Sequence, residues 1–110
     1  MLCYLSIKYF HAFLDTLRLP DRKFPERFES DVERPGLIAH FYIARLYGKV
    51  ITSNSSEKLE NLKLSLQFYA WVVNYSEINP EAAQCVDKEL EICVEMVELL
   101  PKSMDRYLSS

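Results

Sequence analysis

The chain has 110 residues, of which 49% are hydrophobic and 26% are charged, and its formal net charge is -3. This composition excludes a disordered tail. The length accommodates one domain, residues 1–110, and folding at this size buries roughly two-thirds of the surface of the unfolded chain. Only two glycines occur, hairpin turn signals are scarce and helix-forming residues are abundant, so the composition predicts an all-α protein.

Charge is distributed unevenly between the two halves of the chain. Residues 1–50 carry eight basic and six acidic side chains (+2), whereas residues 51–110 carry five basic and ten acidic ones (-5). The acidic half should repel nucleic acid. The sequence contains no run of about twenty uncharged apolar residues, so it predicts no membrane span. An odd number of cysteines, three, without a secretory signal favours a reducing compartment, so we expect a cytoplasmic location.

The first predicted helix, Leu2–Leu17, has an unusually wide apolar face and ends before Pro20. Apolar residues recur at helical spacing in two stripes, the first being Cys3, Ile7, Phe10, Leu14 and Leu17 and the second Leu2, Leu5, Tyr9 and Phe13. A terminal helix of a small bundle should show one apolar face only. We therefore expect the second stripe to be covered by protein outside this bundle, or to mediate self-association of the chain.

A charged connector, residues 21–34, precedes the second helix, and Phe24 and Phe28 are expected to anchor it to the core. Pro35 is predicted to lie in the first turn of the helix. The packed face of this helix is predicted to contain Leu37, Phe41, Ala44, Gly48 and Ile51. Ala44 and Gly48 are small residues one turn apart, which predicts a close helix crossing at this point.

The third helix is predicted to begin after Asn54, which with Glu57 forms a variant of the capping box. Its apolar residues follow two stripes, Leu59, Leu62, Leu66, Tyr69 and Val73, and Leu64, Phe68, Trp71 and Tyr75. Aromatic residues at such spacing could line a ligand site, but they surround more than one side of the helix. Core packing is therefore the favoured interpretation.

Asn79 and Pro80 are predicted to be the N-cap and first turn of a fourth helix. Its packed positions follow a regular three–four spacing and are Ala83, Val86, Leu90, Cys93, Val97 and Leu100. Pro101 is expected to break or kink this helix, so that residues 102–108 form a short fifth helix. Glu91, Glu95 and Glu98 lie on another face, either as a solvated surface or as a binding site for a basic partner.

No motif for catalysis, for a cofactor or for a metal ion occurs in the sequence. His11 and His40 lie on different predicted helices, and neither pairs with a carboxylate or cysteine at ligand spacing. Both histidines are interpreted as packed or surface residues. The sequence therefore indicates a protein that is not an enzyme and that uses neither a cofactor nor a metal.

Three segments together resemble the carboxyl-terminal region of the kinesin-binding protein family. They are RPGLIAHFYIARLYGKVIT (34–52), SSEKLENLKLSLQFYAWVVNY (55–75) and NPEAAQCVDKELEICVEMVELLPKSMDRY (79–107). The resemblance implies a longer helical-repeat protein, related to tetratricopeptide arrays, that binds kinesin motor domains and keeps them from microtubules. It further implies a cytoskeleton-associated adaptor in axonal transport and neuronal development, with a link to mitochondria.

Together these observations predict an antiparallel bundle of four main helices that forms the closing end of a helical solenoid. Its predicted function is protein binding, and the family resemblance implies that the partner is a kinesin motor domain. Glu91, Glu95 and Glu98 are the candidate contact residues. The alternative is a purely structural cap of the array that contacts no partner.

Overall fold

The computed structural model describes residues 2–108, except for the side chain of Leu2. The described elements are α1 (Leu2–Asp15), α2 (Ser30–Lys49), α3 (Ser55–Ile78), a 3₁₀ helix (Pro80–Val86) and α4 (Asp87–Leu108). No β-strand occurs among residues 2–108. The predicted all-α class with four main helices is confirmed.

Successive helices are antiparallel, and each packs on the next one along the chain. The direction is clear for α2 and α3, since Ser65 Oγ donates a hydrogen bond of 2.6 Å to the Ala44 carbonyl near one end. Near the other end, the Tyr75 hydroxyl donates a hydrogen bond of 2.7 Å to Glu33 Oε2. Helices α1 and α4 therefore form the two ends of the array, and their described residues do not pack on each other.

Helix α2 lies between two groups of buried side chains and contributes to both. The group on the α1 side consists of Ile7, Leu14, Ala39, Ile43 and Val50. The larger group joins α2 to α3, the 3₁₀ helix and α4, and its members include Phe41, Tyr69, Val72, Cys93 and Leu100. Helix α2 needs apolar residues around much of its circumference for this reason.

The second helix begins five residues earlier than Pro35, at Ser30, so the predicted start is wrong. Asp31 and Glu33 lie in the first turn, where negative side chains favour the helix dipole. Pro35 leaves the Asp31 carbonyl without its helical donor, but both residues are exposed, so water can hydrate that carbonyl. The connection between α1 and α2 therefore lies earlier in the chain than predicted, at residues 16–29 instead of 21–34.

Both predicted anchors of this connection pack on the core. Phe28 is buried and Phe24 is half-buried against the same group of side chains. The Phe24 ring makes edge contacts with the rings of His40 and Trp71, with centroids 5.2 and 5.6 Å apart. The predicted role of the two phenylalanines is confirmed.

The predicted close crossing of α2 and α3 at Ala44 and Gly48 is confirmed. Ser65 of α3 donates a hydrogen bond to the Ala44 carbonyl, and a Cβ on Gly48 would lie 3.5 Å from Ser65 Oγ.

The predictions for the two ends of the α2–α3 connection have different outcomes. Ile51 is 98% exposed. Its predicted place on the packed face is wrong because α2 ends at Lys49 and the backbone turns away. Asn54 caps α3 as predicted, accepting a hydrogen bond of 2.9 Å from the Glu57 amide.

Asn79 occupies an N-cap position and Pro80 the first turn after it, as predicted, but the helix they begin is a 3₁₀ helix and the Asn79 side chain does not cap it. Its Nδ2 donates instead to the Glu26 carbonyl at 2.9 Å and to the Tyr75 carbonyl at 3.3 Å. These contacts link the end of α3 to the α1–α2 connection. Pro80 begins a 3₁₀ helix rather than α4, which starts at Asp87.

The predicted break at Pro101 and the short fifth helix are also wrong, since α4 continues through Pro101 to Leu108. A proline inside a helix costs about 3 kcal/mol. Leu100, Met104 and Tyr107 all pack on the larger core group, and burying a large apolar side chain contributes roughly 1.5–3 kcal/mol. Packing on α3 therefore offsets the cost of the proline.

Candidate partner-binding surface

Helix α4 presents one side to α3 and the opposite side to solvent. Cys93 and Leu100 are buried on the inner side. The three predicted site residues, Glu91, Glu95 and Glu98, are all exposed on the other side. Their i, i+4, i+7 spacing places them along one line of the helix. The structure therefore brings the three carboxylates together on the outside of the terminal helix.

Large apolar side chains accompany these carboxylates. Ile92 is 41% exposed and Leu99 is 43% exposed, and they are one heptad apart next to the line of glutamates. We call the set Glu91, Ile92, Glu95, Glu98 and Leu99 the acidic α4 surface. A protein contact combines apolar area with charged residues at its rim, and the acidic α4 surface contains both.

The two apolar members of this surface were not predicted from the sequence. The signal was present, because Ile92 and Leu99 each lie one position before an inward-facing residue, Cys93 and Leu100. They therefore fall outside the regular three–four spacing of the packed positions. Part of each side chain is left uncovered by the bundle, and this uncovered apolar area is what points to a second use.

An ion-pair network joins the 3₁₀ helix that precedes α4 to the rest of the bundle. Arg27 Nε and Nη2 donate to the two carboxylate oxygens of Glu33 at 2.8 and 3.2 Å. Arg27 Nη1 also donates to Glu81 in the 3₁₀ helix that precedes α4. The Tyr75 hydroxyl donates to Glu33 and accepts a hydrogen bond of 2.8 Å from the Phe28 amide. The network thus joins the connection, α2, α3 and the 3₁₀ helix.

The protonation of this network follows from its contacts. Burial by itself would raise the pKa of Glu33, but hydrogen bonds from Arg27 and Tyr75 together lower the pKa below its usual value. Burial raises the pKa of Tyr75 to about 12, and the hydrogen bond to Glu33 acts in the same direction. At neutral pH, Glu33 is therefore ionised and Tyr75 is a neutral donor, as a stable structural pair requires.

The aromatic side chains of α3 form core and not a ligand site. Tyr69 and Tyr75 are buried, and Phe68 and Trp71 are packed against the same core group. His40 fills the space next to Trp71, with its Nδ1 2.9 Å from the Gly36 carbonyl. Burial lowers the pKa of His40 to about 4. The interpretation of the aromatic residues and of His40 as packed residues is confirmed.

The second stripe of α1 is uncovered only in part. Leu5 and Tyr9 are 67% and 74% exposed. Phe13 instead is half-buried and packs on the core group that contains Ile7 and Leu14, so its predicted place on the uncovered stripe is wrong. The side chain of Leu2 lies outside the described residues.

Residues 2–108 present neither a metal-binding cluster nor a membrane-spanning helix. These residues include no group of three or more His, Cys, Asp or Glu side chains placed to hold a metal ion. Over the same residues, every helix falls short of the length and apolar character that crossing a membrane requires.

Comparison with known proteins identifies the family. The family model described as "KIF-1 binding protein C terminal" matches residues 1–107. Relatives named "KIF-binding protein" are 53% identical over 105 residues in Gallus gallus, covering 96% of this chain and 18% of the relative, and 50% identical over 102 residues in Homo sapiens, covering 93% and 16%. The relative from Drosophila melanogaster is 28% identical over 101 residues, covering 90% and 17%.

The chain spans about a sixth of the length of the curated relatives it matches. No solved structure matches it significantly. The matched family is one of binding proteins, in agreement with the absence of catalytic motifs from the sequence. Because the family model covers nearly every residue, the chain belongs to the family of KIF-1 binding protein C-terminal regions.

Proposed function

We propose that the chain is a protein-binding module for kinesin motor domains and that the acidic α4 surface is its contact site. The relatives that match it carry the name KIF-binding protein, which supports a kinesin-associated adaptor role. The observation that carries the site is the combination of three exposed carboxylates with exposed Ile92 and Leu99 on a helix that already has its packing partner.

Charge complementarity suggests how binding acts on a motor. The surface of a motor that attaches to microtubules must be basic, because tubulin is acidic. Glu91, Glu95 and Glu98 offer the complementary charge, which raises the association rate and the specificity of binding. Ile92 and Leu99 supply apolar area that slows dissociation once water is displaced. A motor occupied in this way would not attach to its microtubule.

The wider context of the module is part of the same proposal. The mainly sequential packing of α1 to α4 supports a repeat array, in which each repeat packs on its neighbours. We place the chain at the closing end of such an array, with α4 outermost. The accompanying location is the cytoplasm, at the cytoskeleton.

A charge-reversal variant tests the site. The triple variant Glu91→Lys, Glu95→Lys and Glu98→Lys should weaken binding of purified kinesin motor domains by at least about tenfold at physiological salt. It should also remove most of the salt dependence of the dissociation constant. Binding can be measured by fluorescence anisotropy at two salt concentrations, and microtubule cosedimentation of the same motors reports whether attachment is blocked.

The matched control changes the same number of charges elsewhere. Glu26, Glu60 and Glu77 are exposed, and their reversal to lysine alters the net charge equally while leaving the acidic α4 surface intact. This control should retain affinity. Equal losses in both triple variants would reduce the effect to net charge, and unchanged affinity in the α4 variant would exclude this surface as the site.

The alternative function, a structural cap, is favoured by the contribution of Cys93 and Leu100 to the larger core group. The variant Leu100→Ala should lower the free energy of unfolding by about 2–5 kcal/mol. If the chain only caps the array, surface variants of α4, including Ile92→Ser and Leu99→Ser, will leave motor binding unchanged. Loss of binding in these two variants without loss of stability would favour the binding module.

A further inference from the structure

The side of α2 that faces away from both of its chain neighbours carries a line of apolar and basic residues. Buried residues of α2 pack towards α1 on one side and towards α3 on the other. Opposite them, residues three or four positions apart follow one line of the helix. We call this line the outer α2 face, and its residues are Arg34, Ile38, Tyr42, Arg45 and Lys49. Since α1 and α3 both pack on α2, the exposure of this face belongs to the bundle and not to a helix that lacks a neighbour.

Two apolar side chains form the middle of the outer α2 face. Tyr42 is 41% exposed, and Ile38, one turn earlier, is half-buried. The Tyr42 ring stacks on Phe10 of α1, with centroids 5.7 Å apart and planes at 17°, and makes an edge contact of 5.5 Å with Phe41. These contacts hold the ring in place, so a partner that binds it loses little affinity to side-chain ordering. Tyrosine is also one of the residues that dominate binding energy at interfaces.

Basic side chains lie at both ends of this apolar middle. Arg34 precedes it, and Arg45 and Lys49 follow it; all three are exposed. No ion pair among residues 2–108 involves any of them. Lys49 complements the negative end of the helix dipole, but the two arginines are left without an anionic partner in the described part of the chain. Asp31 lies one turn before Arg34 on the same line, so the basic part of the line begins at Arg34.

We propose that the outer α2 face binds an acidic, amphipathic helix of another protein. Arg34 and Arg45 are eleven residues apart, which corresponds to about 16.5 Å along the helix axis. A partner helix that packs alongside α2 and carries carboxylates at the same separation pairs with both arginines. Apolar side chains between those carboxylates cover Ile38 and Tyr42. Arginine suits this contact because its guanidinium donates two parallel hydrogen bonds to one carboxylate.

The charge of this face distinguishes its partner from that of the acidic α4 surface. The α4 surface exposes three carboxylates and the outer α2 face exposes three cations. A basic motor surface is attracted by the first and repelled by the second, so the α2 contact does not depend on the proposed kinesin contact. The apolar middle favours an amphipathic helix over nucleic acid, because a phosphate backbone offers no apolar side chain to Ile38.

The size of the face sets the expected strength of binding. The line from Arg34 to Lys49 is about 22 Å long, or about four helical turns. A contact with one helix of this length lies at the small end of specific interfaces. We therefore expect a reversible complex with a dissociation constant on the order of 10–100 μM at physiological salt.

A fluorescent peptide and the 110-residue chain test the proposal. The peptide is an alanine-rich helix of about 16 residues, with glutamates eleven residues apart and two leucines between them, four residues apart. A peptide of the same composition, in which the glutamates and leucines are distributed around the helix, is the control for general attraction of negative charge. Fluorescence anisotropy should show that the first peptide binds at least about fivefold more tightly than the second.

A charge-reversal variant tests the role of the basic residues. The triple variant Arg34→Glu, Arg45→Glu and Lys49→Glu should weaken binding of the first peptide at least about tenfold. It should not lose affinity for kinesin motor domains, so failure of this proposal is distinguishable from failure of the proposed function. The matched control reverses three exposed lysines that lie elsewhere, Lys8, Lys23 and Lys63. This control should retain most of the affinity for the peptide.

Variants of Tyr42 test the apolar middle without a change of charge. Tyr42→Ala should weaken binding of the first peptide at least about fivefold, because it removes the ring that the partner covers. Tyr42→Phe keeps the ring that stacks on Phe10 and should bind nearly as well as the unmodified chain. Thermal unfolding by circular dichroism establishes that each variant is folded.

Four results would overturn the proposal. The first is absence of binding up to about 1 mM peptide, and the second is equal binding of the two peptides. The third is an equal loss in the two triple lysine and arginine variants, which would reduce the effect to net charge. The fourth is tighter binding of a single-stranded oligonucleotide of the same length that Arg34→Glu and Arg45→Glu abolish, which would assign the face to nucleic acid.

Discussion

The imidazole of His40 lies flat on the indole of Trp71, with ring centroids 3.6 Å apart and planes at 2°. His40 is 1% exposed, and its Nδ1 lies within hydrogen-bond distance of the Gly36 carbonyl. Burial lowers the pKa of His40 to about 4, and the positive charges of Arg18 and His11 act in the same direction. The folded chain therefore holds a neutral imidazole between α2 and α3.

This neutral histidine predicts a loss of stability in mild acid. The unfolded chain takes up the proton near pH 6.5, whereas the folded chain does so only near pH 4. The stabilisation is complete above pH 6.5 and is lost as the pH falls from 6.5 towards 4, by up to about 3 kcal/mol. Urea unfolding at several pH values measures this slope.

His40→Gln is the control for this pH dependence, because it removes the titrating group. The variant should have a flatter slope between about pH 6.5 and 4.5. The remaining slope is expected from His11, whose pKa burial also lowers. A slope as steep as that of the unmodified chain would show that another group is responsible.

The link between Glu33 and Tyr75 predicts a second effect on stability. Tyr75→Phe removes the hydroxyl that joins the Phe28 amide to Glu33, and we expect a loss of about 1–3 kcal/mol because a buried donor loses its partner. Glu33→Gln should also lower the free energy of unfolding, since Arg27 loses a bidentate charged partner and the Tyr75 hydroxyl loses a charged acceptor. Exposed Glu29 gives the control Glu29→Gln, which should change the free energy of unfolding by less than about 0.5 kcal/mol.

The two glycines of the chain predict opposite results for the same substitution. A Cβ on Gly36 would lie 2.8 Å from Phe28 Cε2 and 3.2 Å from Leu17 Cδ1, and the Phe28 ring is buried, so Gly36→Ala should destabilise the chain by about 1–3 kcal/mol. On Gly48, the nearest atom would be Ser65 Oγ at 3.5 Å. Gly48→Ala should therefore stabilise α2 by about 0.5–1 kcal/mol.

Thermal and urea unfolding of the two alanine variants compare them directly. Equal stabilisation would mean that Phe28 moves aside without cost. Equal destabilisation would mean that the crossing of α2 and α3 at Gly48 is tighter than the contact with Ser65 indicates.

The cysteines predict a strong contrast in thiol reactivity. Cys85 is exposed and Cys93 is buried, and burial, with the nearby Glu89, raises the pKa of Cys93 to about 12. The thiolate is the reactive form, so alkylation of Cys93 at about pH 8 should be at least about 100-fold slower than that of Cys85. Peptide-resolved mass spectrometry after iodoacetamide treatment measures both rates, and unfolding in urea should make them similar. Comparable rates in the folded chain would contradict the packing of α4 on α3.

Short-range patterns in the sequence were sufficient for much of this fold. The all-α class follows from composition and helical spacing, the cap of α3 follows from Asn54 and Glu57, and the anchoring of the connection follows from Phe24 and Phe28. The three glutamates of α4 could be placed on an outer face because the packed positions of that helix are regularly spaced. All of these signals depend on residues within a few turns of one another.

Contacts between distant segments determined the rest. Asn79 binds the Glu26 carbonyl instead of capping α4, and α4 passes through Pro101 because Met104 and Tyr107 pack on the core beyond it. The exposure of Ile92 and Leu99 depends on which side of α4 meets α3. Local spacing establishes that a helix has apolar faces, but only the positions of its neighbours determine which of those faces is covered, because burial is a property of two surfaces in contact.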